Sequence, residues 1–508
     1  MNLPERFTEE MKRLLGGEYS AWLESFQTGG QDGEGASGEG RPEADDAFRG
    51  LRVNTRKLSP QEFLGRAPFS LRPVPWTENG FYLEGGGRAS RHPYYAAGLY
   101  YLQEPSAMVP AAALPIERGD RVLDLCAAPG GKATELAARL AGTGLLVAND
   151  LSNSRAKALL KNLELFGAEN ILVTSESPER LARYFEGFFD KILIDAPCSG
   201  EGMFRKNPSM TRDWEEKGPD YYARIQKEIT AQAARLLRPG GLLLYSTCTF
   251  SVKENEETIL SLLRTAPGFR VLPLALPDTA KHYGFAPGRP DLISREAAGE
   301  GLTEEEWTGL TLAARLYPHR VEGEGHFAAL LQKKGTEAEK AAESPEKLRN
   351  DGGGRKGRAA GHAQAGKALS ESFREFEKSL IKPLEEDRIR SYDGRLYYLP
   401  EALLSCNIRG LRFLRTGLYL GEEKGNRFEP SQALAMALKK EDFDGTIDFS
   451  SEDERAIRYL KGETLDVEDL ADAGGKGWHL VCVDGFPLGW GKLAGGRLKN
   501  KYYPGWRW

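Results

Sequence analysis

The chain has 508 residues, of which 40% are hydrophobic and 28% charged, and 69 Lys and Arg against 74 Asp and Glu leave a net charge of −5. That is the composition of a soluble globular chain of about three domains, and not of a polycation, so any nucleic-acid contact must come from local basic patches. Five scattered cysteines without a CxxC pair exclude a disulfide framework and point to reduced thiols in a cytoplasm, while six histidines without an HExxH motif give a metal site nothing to build on.

The opening Met-Asn-Leu-Pro-Glu-Arg has no apolar core, so no secretory leader is expected, and no apolar run approaches the roughly 20 residues that span a bilayer. Phe7, Met11, Leu14 and Leu15 recur at helical spacing. Residues 28–46 are rich in Gly, Glu and Asp, with almost nothing to bury, and read as a flexible insertion within an N-terminal extension, 1–96. From 97 to 334 short apolar runs (VLDLC, LLVAND, ILVTS, KILIDAPC, LLLYSTC) alternate with helix-like segments, the signature of a parallel sheet with crossover helices. Residues 335–369, rich in Ala, Gly, Glu and Lys, read as a solvated linker. Two small modules follow, 370–455 and a mostly β module at 456–508. The expected fold is α/β: a Rossmann-like sheet with a small N-terminal α/β extension and C-terminal α+β and β modules.

The first run leads into CAAPGGKATELAARL. A buried strand, a small-residue turn and a helix make a ligand-binding geometry, because ligands of open α/β sheets sit beyond the carboxyl ends of the strands. Gly130 and Gly131 let backbone approach the ligand, Pro129 stiffens the turn, and Asp150, ending the next strand, can accept ribose hydroxyls. The turn is neither GxGxxG nor a P-loop, so a nucleoside without phosphates suits it; alone, it is equally read as a plain tight turn.

DAPCSGEG and YSTCTF place Cys198 and Cys248 at the ends of two further strands, on the same sheet edge. Either cysteine alone is ordinarily an inert apolar residue. Two at one edge, one beside an aspartate, suit cytosine chemistry. Carbon 5 of cytosine is too weak a nucleophile for a methylsulfonium until a thiolate adds to carbon 6. Lys132 and the cationic sulfonium could both lower the thiol's pKa.

These residues resemble the motifs of the Nop/Sun family of RNA cytosine-5 methyltransferases. LDLCAAPGGK is similar to its first cofactor motif, DAPCSGEGMFRK to its fourth and YSTCTF to its sixth. FRGLRVNT, HPYYAAGLYYLQEPSAM and GEGHFAALLQK are similar to flanking segments, and the ending VDGFPLGWGK…KNKYYPGWRW to a PUA-like RNA-binding module. The resemblance covers roughly residues 3–333 and the C-terminus, and is nearest to bacterial members acting on small-subunit (16S) ribosomal RNA.

The resemblance implies S-adenosylmethionine as cofactor, Cys248 as nucleophile and Cys198 as the helper in product release. Lys132 and Asp195 would handle the base, and Cys126, Ala127, Ala128, Pro129, Gly130, Gly131, Lys132, Asp150 and Asp195 would hold the cofactor. It departs at VTSESPERL, where Ser177 stands at the family's adenine-contacting aspartate; its hydroxyl, or Glu176, would have to replace it. A variant with Cys198 as nucleophile resembles DNA cytosine methyltransferases, but leaves Cys248 unused.

For RNA, Arg205 and Lys206 lie beside the fourth motif, and Lys492, Arg497, Lys499 and Lys501 interleave with Tyr502 and other aromatics, a pattern suited to phosphates and bases. The competing reading makes the aromatics core and the charges solubilising. The expected substrate is ribosomal RNA, free or in the assembled small subunit, with no membrane contact and a monomeric enzyme. Transfer RNA, and a non-catalytic RNA-binding assembly factor, are the alternatives.

Overall fold

The computed structural model describes residues 3–28, 49–85, 88–277, 284–335, 369–470 and 475–508. The expected insertion and linker lie, but for their end residues, outside them.

Helices Glu5–Leu15 and Tyr19–Thr28 open the chain. Phe7, Met11 and Leu14 lie on one helical stripe and are buried with Trp22 and Phe26 against Phe204, Trp214 and Phe250. A four-stranded antiparallel sheet follows: β1 (Gly50–Val53), β2 (Ser70–Pro73), β3 (Gly80–Glu84) and β4 (Tyr100–Leu102), in the order β2-β3-β1-β4.

The central sheet is built on β5 (Arg121–Asp124), β6 (Leu145–Asn149), β7 (Ile171–Thr174), β8 (Phe189–Asp195) and β9 (Leu237–Thr247). These five are parallel, in the order β9-β8-β5-β6-β7. Their runs are apolar without alternation because helices cover both faces. Leu123, Val147, Leu172, Ile192 and Leu243 face one core, and Val122, Leu146, Val173, Leu193 and Leu244 the other. The antiparallel strands β10 (Phe269–Leu272), β11 (Ala286–Pro287), β12 (Ala314–Leu316) and β13 (His326–Lys333) extend the sheet beyond β9. The chain runs from β5 outward to β7 and then returns to β8, so the order reverses between β5 and β8. That crevice is where such sheets bind ligands.

Beyond residue 369, β14 (Ile389–Tyr392), β15 (Arg395–Tyr398), β17 (Leu418–Lys424) and β18 (Arg427–Pro430) form a small antiparallel sheet. Between them, β16 (Phe413–Thr416) leaves that sheet and pairs antiparallel with β7. The last sheet holds β19 (Thr446–Phe449), β20 (Leu465–Asp466), β21 (Gly477–Val483), β22 (Phe486–Ala494) and β23 (Arg497–Asn500). Its first strand starts ten residues ahead of position 456, because β19 pairs parallel with β21. This sheet is not a pendant: Ile447, Leu465, Val481 and Leu498 share one core with Leu51, Val53, Phe81 and Tyr100 of the N-terminal sheet.

The architecture is the expected one: a Rossmann-like α/β sheet, an N-terminal α/β extension and C-terminal α+β and β modules. Among the described residues, no helix is long and apolar enough to cross a membrane.

Candidate active site

The turn after β5 starts the helix Gly131–Leu140 from Gly130, whose φ of 116° is left-handed and favours glycine. A Cβ on Gly131 would stand 3.2 Å from the Tyr101 ring and 3.3 Å from Gln103 Nε2, so the turn packs tightly beside β4 and a side chain there would have to displace one of them. Asn162 Nδ2 donates to the Pro129 carbonyl at 2.8 Å. Arg155 Nη2 donates to the Ala128 carbonyl at 2.8 Å and lies 3.4 Å from Asp150 Oδ2. Asp150 is buried beyond β6, and its Oδ1 accepts the Ser152 N–H at 2.9 Å. Residues 126–132 and Asp150 thus form one continuous wall.

Asp124 is a residue the sequence reading missed. It is fully buried, and neither carboxylate oxygen finds a well-formed hydrogen bond. Burial first, then the neighbouring Asp195, pushes its pKa up to about 8. Three carboxylates (Asp124, Asp150 and Asp195) therefore surround the crevice. The ionised Asp195, with Asp150, gives the crevice negative charge that suits a cationic nucleoside such as S-adenosylmethionine better than a phosphate-bearing cofactor.

Asp195, at the end of β8, is the best-connected of the three. Lys132 Nζ donates to its Oδ2 at 2.7 Å and Ser246 Oγ to its Oδ1 at 2.9 Å. His326 Nε2 lies 3.7 Å from Oδ1. Burial alone would raise the Asp195 pKa; the Lys132 ammonium, and then His326, outweigh it and hold the carboxyl well below the usual range. His326 was also missed. It begins β13, and because β13 runs antiparallel to β9 its first residue lands at the carboxyl edge of the parallel strands.

Cys198 and Cys248, both half-buried, face each other with sulfurs 3.3 Å apart. The hydrogen bond to Cys248, and then burial, push the Cys198 thiol well above its ordinary value. Either sulfur can be the donor in this contact. The two loops are cross-linked: Gly202 N–H donates to the Cys248 carbonyl at 2.9 Å, and Phe250 N–H to Glu201 Oε2 at 2.9 Å.

The order and spacing of these groups suit methyl transfer to a base, and relatives of the chain point the same way. It is 33% identical over 473 residues to ribosomal RNA small subunit methyltransferase F of Shigella boydii serotype 18, with 89% of each chain covered. The Escherichia fergusonii protein of that name is 32% identical over 480 residues, again with 89% of each covered. The chain belongs to this methyltransferase family. Residues 111–332 match the 16S rRNA methyltransferase RsmB/F family, and 43–105 the N-terminal domain of 16S rRNA methyltransferase RsmF. Residues 375–438 match the RsmF rRNA methyltransferase first C-terminal domain, and 446–508 the methyltransferase RsmF PUA domain. A methyltransferase homolog from Pyrococcus horikoshii superposes with a TM-score of 0.51 at 29% identity, covering 65% of this chain and 95% of that one. NSun6 from the same organism, solved with SFG, shares the fold (TM-score 0.51, 22% identity, 66% of this chain and 99% of that one). The chain is an S-adenosylmethionine-dependent methyltransferase, and its resemblance to the Nop/Sun enzymes holds.

Other expected residues fall differently from the family pattern. Ser177 caps the helix Pro178–Ala182, its hydroxyl accepting the Arg180 N–H at 3.3 Å. The Glu176 carboxylate is fully buried and holds Arg412 at 3.1 Å and Arg180 at 3.2 Å. Its carboxylate therefore anchors β16.

Three of the expected RNA contacts need correction or refinement. Arg205 is paired at 2.8 Å with buried Glu324, and its Nη1 donates to the Ser25 carbonyl, so this guanidinium fastens the fourth motif to its neighbours instead of facing solvent. Tyr502 is a core ring beside Tyr459, 2% exposed, and cannot stack on a base. Lys501 is half-buried, over the Trp478 ring. Lys206, Lys492, Arg497 and Lys499 are exposed. Trp478, Lys492 and Lys499 stand in register across β21, β22 and β23, giving one basic row with an aromatic at its end.

Proposed function

We propose that the chain methylates carbon 5 of a cytosine in small-subunit ribosomal RNA, with Cys248 as the nucleophile. The observation that carries this reading is the thiol pair at 3.3 Å, one strand from the Lys132–Asp195 pair, on the edge where the cofactor crevice opens. The relatives' name supports ribosomal RNA over transfer RNA, and a complete set of reacting groups speaks against a purely structural RNA-binding factor.

Residues 126–132, Asp150 and Asp195 would hold S-adenosylmethionine. When bound, that cofactor supplies an electrophilic methyl group on a sulfonium. The protein's part is to make carbon 5 reactive. Cys198, 3.3 Å away, can place its S–H on the Cys248 sulfur and so favour the Cys248 thiolate. The Cys248 sulfur adds to carbon 6, and the electron pair of the 5,6 double bond becomes available at carbon 5. The negative charge gathered on the base meets the Lys132 ammonium, whose position Asp195 fixes. After transfer, the carbon-5 proton passes to solvent, the C–H electron pair re-forms the 5,6 double bond, and Cys248 departs with the C6–S pair. Cys198, in contact with the departing sulfur, is assigned to that release. The target carbon is inside a stack when paired, so the base must be unpaired or flipped out.

The test is transfer of labelled methyl from S-adenosylmethionine to small-subunit ribosomal RNA, followed by nucleoside analysis for 5-methylcytosine. Wild type should produce it. Cys248→Ala should lose the activity by more than about a thousandfold, as removal of a covalent nucleophile does, with cofactor affinity nearly unchanged. Label in any other nucleoside, or turnover by Cys248→Ala, would overturn the reading.

A further inference from the structure

The reaction needs two sulfurs in contact, yet they sit on separate loops after β8 and β9. A third segment ties those loops together. Glu254 is fully buried, and its Oε2 accepts the Ser199 N–H at 3.0 Å and Gln226 Nε2 at 2.8 Å. Its Oε1 accepts the Ser199 hydroxyl and, at 3.5 Å, the Thr249 hydroxyl, and these two hydroxyls are 2.8 Å apart. Ser199 directly follows Cys198, and Thr249 directly follows Cys248. The next residue, Asn255, brackets Cys248: its Oδ1 accepts from Thr247 Oγ1 at 2.7 Å and its Nδ2 donates to the Thr249 carbonyl at 3.0 Å. The Tyr245 hydroxyl, on β9, pins the Glu254 carbonyl at 2.6 Å.

We propose that Glu254 is a positioning residue that sets the spacing of the two thiols by joining the residue after each cysteine to one carboxyl group. It touches neither sulfur and takes no part in bond making. No Lys or Arg among the described residues pairs with it, and burial, then the nearby Glu201, push its pKa up to about 8. A glutamine of the same shape is therefore a fair replacement, and alanine is not, because alanine orphans the buried Ser199 N–H. The proposal rests on the reading of Cys198 and Cys248 as the reacting pair.

Two readouts test it. Without substrate, diamide should join Cys198 and Cys248 into a disulfide, followed by mass spectrometry of the linked peptides. In Glu254→Ala this should be at least about tenfold slower than in wild type, since proximity is lost. In turnover, Glu254→Ala should lower kcat on the order of a hundredfold, with KM for cofactor and RNA within about threefold, the pattern of misplaced reacting groups. Glu254→Gln should recover both rates to within about fivefold of wild type if geometry alone is at stake. Should Glu254→Ala fail to fold, Ser199→Ala, which removes one bond of the clasp, must show the same kcat-weighted loss and slowed disulfide at smaller amplitude. An unchanged disulfide rate, KM values rising in step with the fall in kcat, or a folded Glu254→Gln as impaired as alanine would each overturn the proposal. Wild-type turnover tests the proposed function separately, since the disulfide rate needs no RNA or cofactor.

Discussion

At the scale of single residues, the crevice buries a carboxyl whose ionised form is unfavourable. Asp124 is that carboxyl, with a pKa near 8. An unfolded aspartate ionises near about 3.9, so between about pH 4 and pH 8 the unfolded chain has lost a proton that the folded chain keeps. Its contribution to stability is thus present below pH 4 and is lost as pH rises toward 8. Asp124→Asn removes that titration. The cofactor-free variant should show a shallower fall of melting temperature from pH 5 to 8 than wild type, and should be the more stable of the two at pH 8. Identical slopes in a thermal-unfolding series would refute the assignment. Sequence made Cys198, Cys248, Lys132 and Asp195 legible because their motifs carry them. Asp124 read as one more residue of an apolar strand, and the burial that makes it unusual is a tertiary fact. Arg205 misled for the converse reason: a charge in a loop reads as solvated, and only the fold supplies Glu324.

At the scale of elements, what matters is which end of a strand a residue occupies. The five parallel strands were legible from their unbroken apolar runs, and their carboxyl ends bring 126–132, Asp150, Asp195 and the two cysteines to one edge. His326 was not legible, since nothing local says that β13 runs antiparallel and so begins where its neighbours end. The C-terminal strands show the same limit. Alternation along β22 and β23 puts Lys492 and Lys499 outside and Leu493 and Leu498 inside, but Tyr502 follows the last strand and its burial depends on Tyr459. If the exposed row meets phosphates, a Lys492→Ala/Lys499→Ala double variant should weaken RNA binding and reduce the slope of log affinity against log salt by about 2. Cofactor binding should not change. An unaltered salt slope, measured by filter binding, would remove this row from the interface.

At the scale of the whole molecule, the C-terminal modules are load-sharing parts of the fold. β16 closes the edge of the central sheet beside β7, Arg412 neutralises buried Glu176, and Arg415 pairs with Glu164 at 2.6 Å. Truncation after residue 369 would strip all three and also uncover the N-terminal sheet. It should lower the melting temperature and weaken cofactor binding, not RNA binding alone. Unchanged calorimetric cofactor affinity in the truncated chain would contradict this coupling. The modules were visible in the sequence as composition shifts, but a four-residue strand returning to a distant sheet leaves no local mark.

The central claim, a two-cysteine mechanism on ribosomal RNA, is tested most directly with Cys198→Ala, small-subunit ribosomal RNA and S-adenosylmethionine on a denaturing gel. With release impaired, the account predicts a slow-migrating protein–RNA adduct that disappears on further Cys248→Ala. An adduct that survives loss of Cys248, or one that forms on transfer RNA and not on ribosomal RNA, would contradict it.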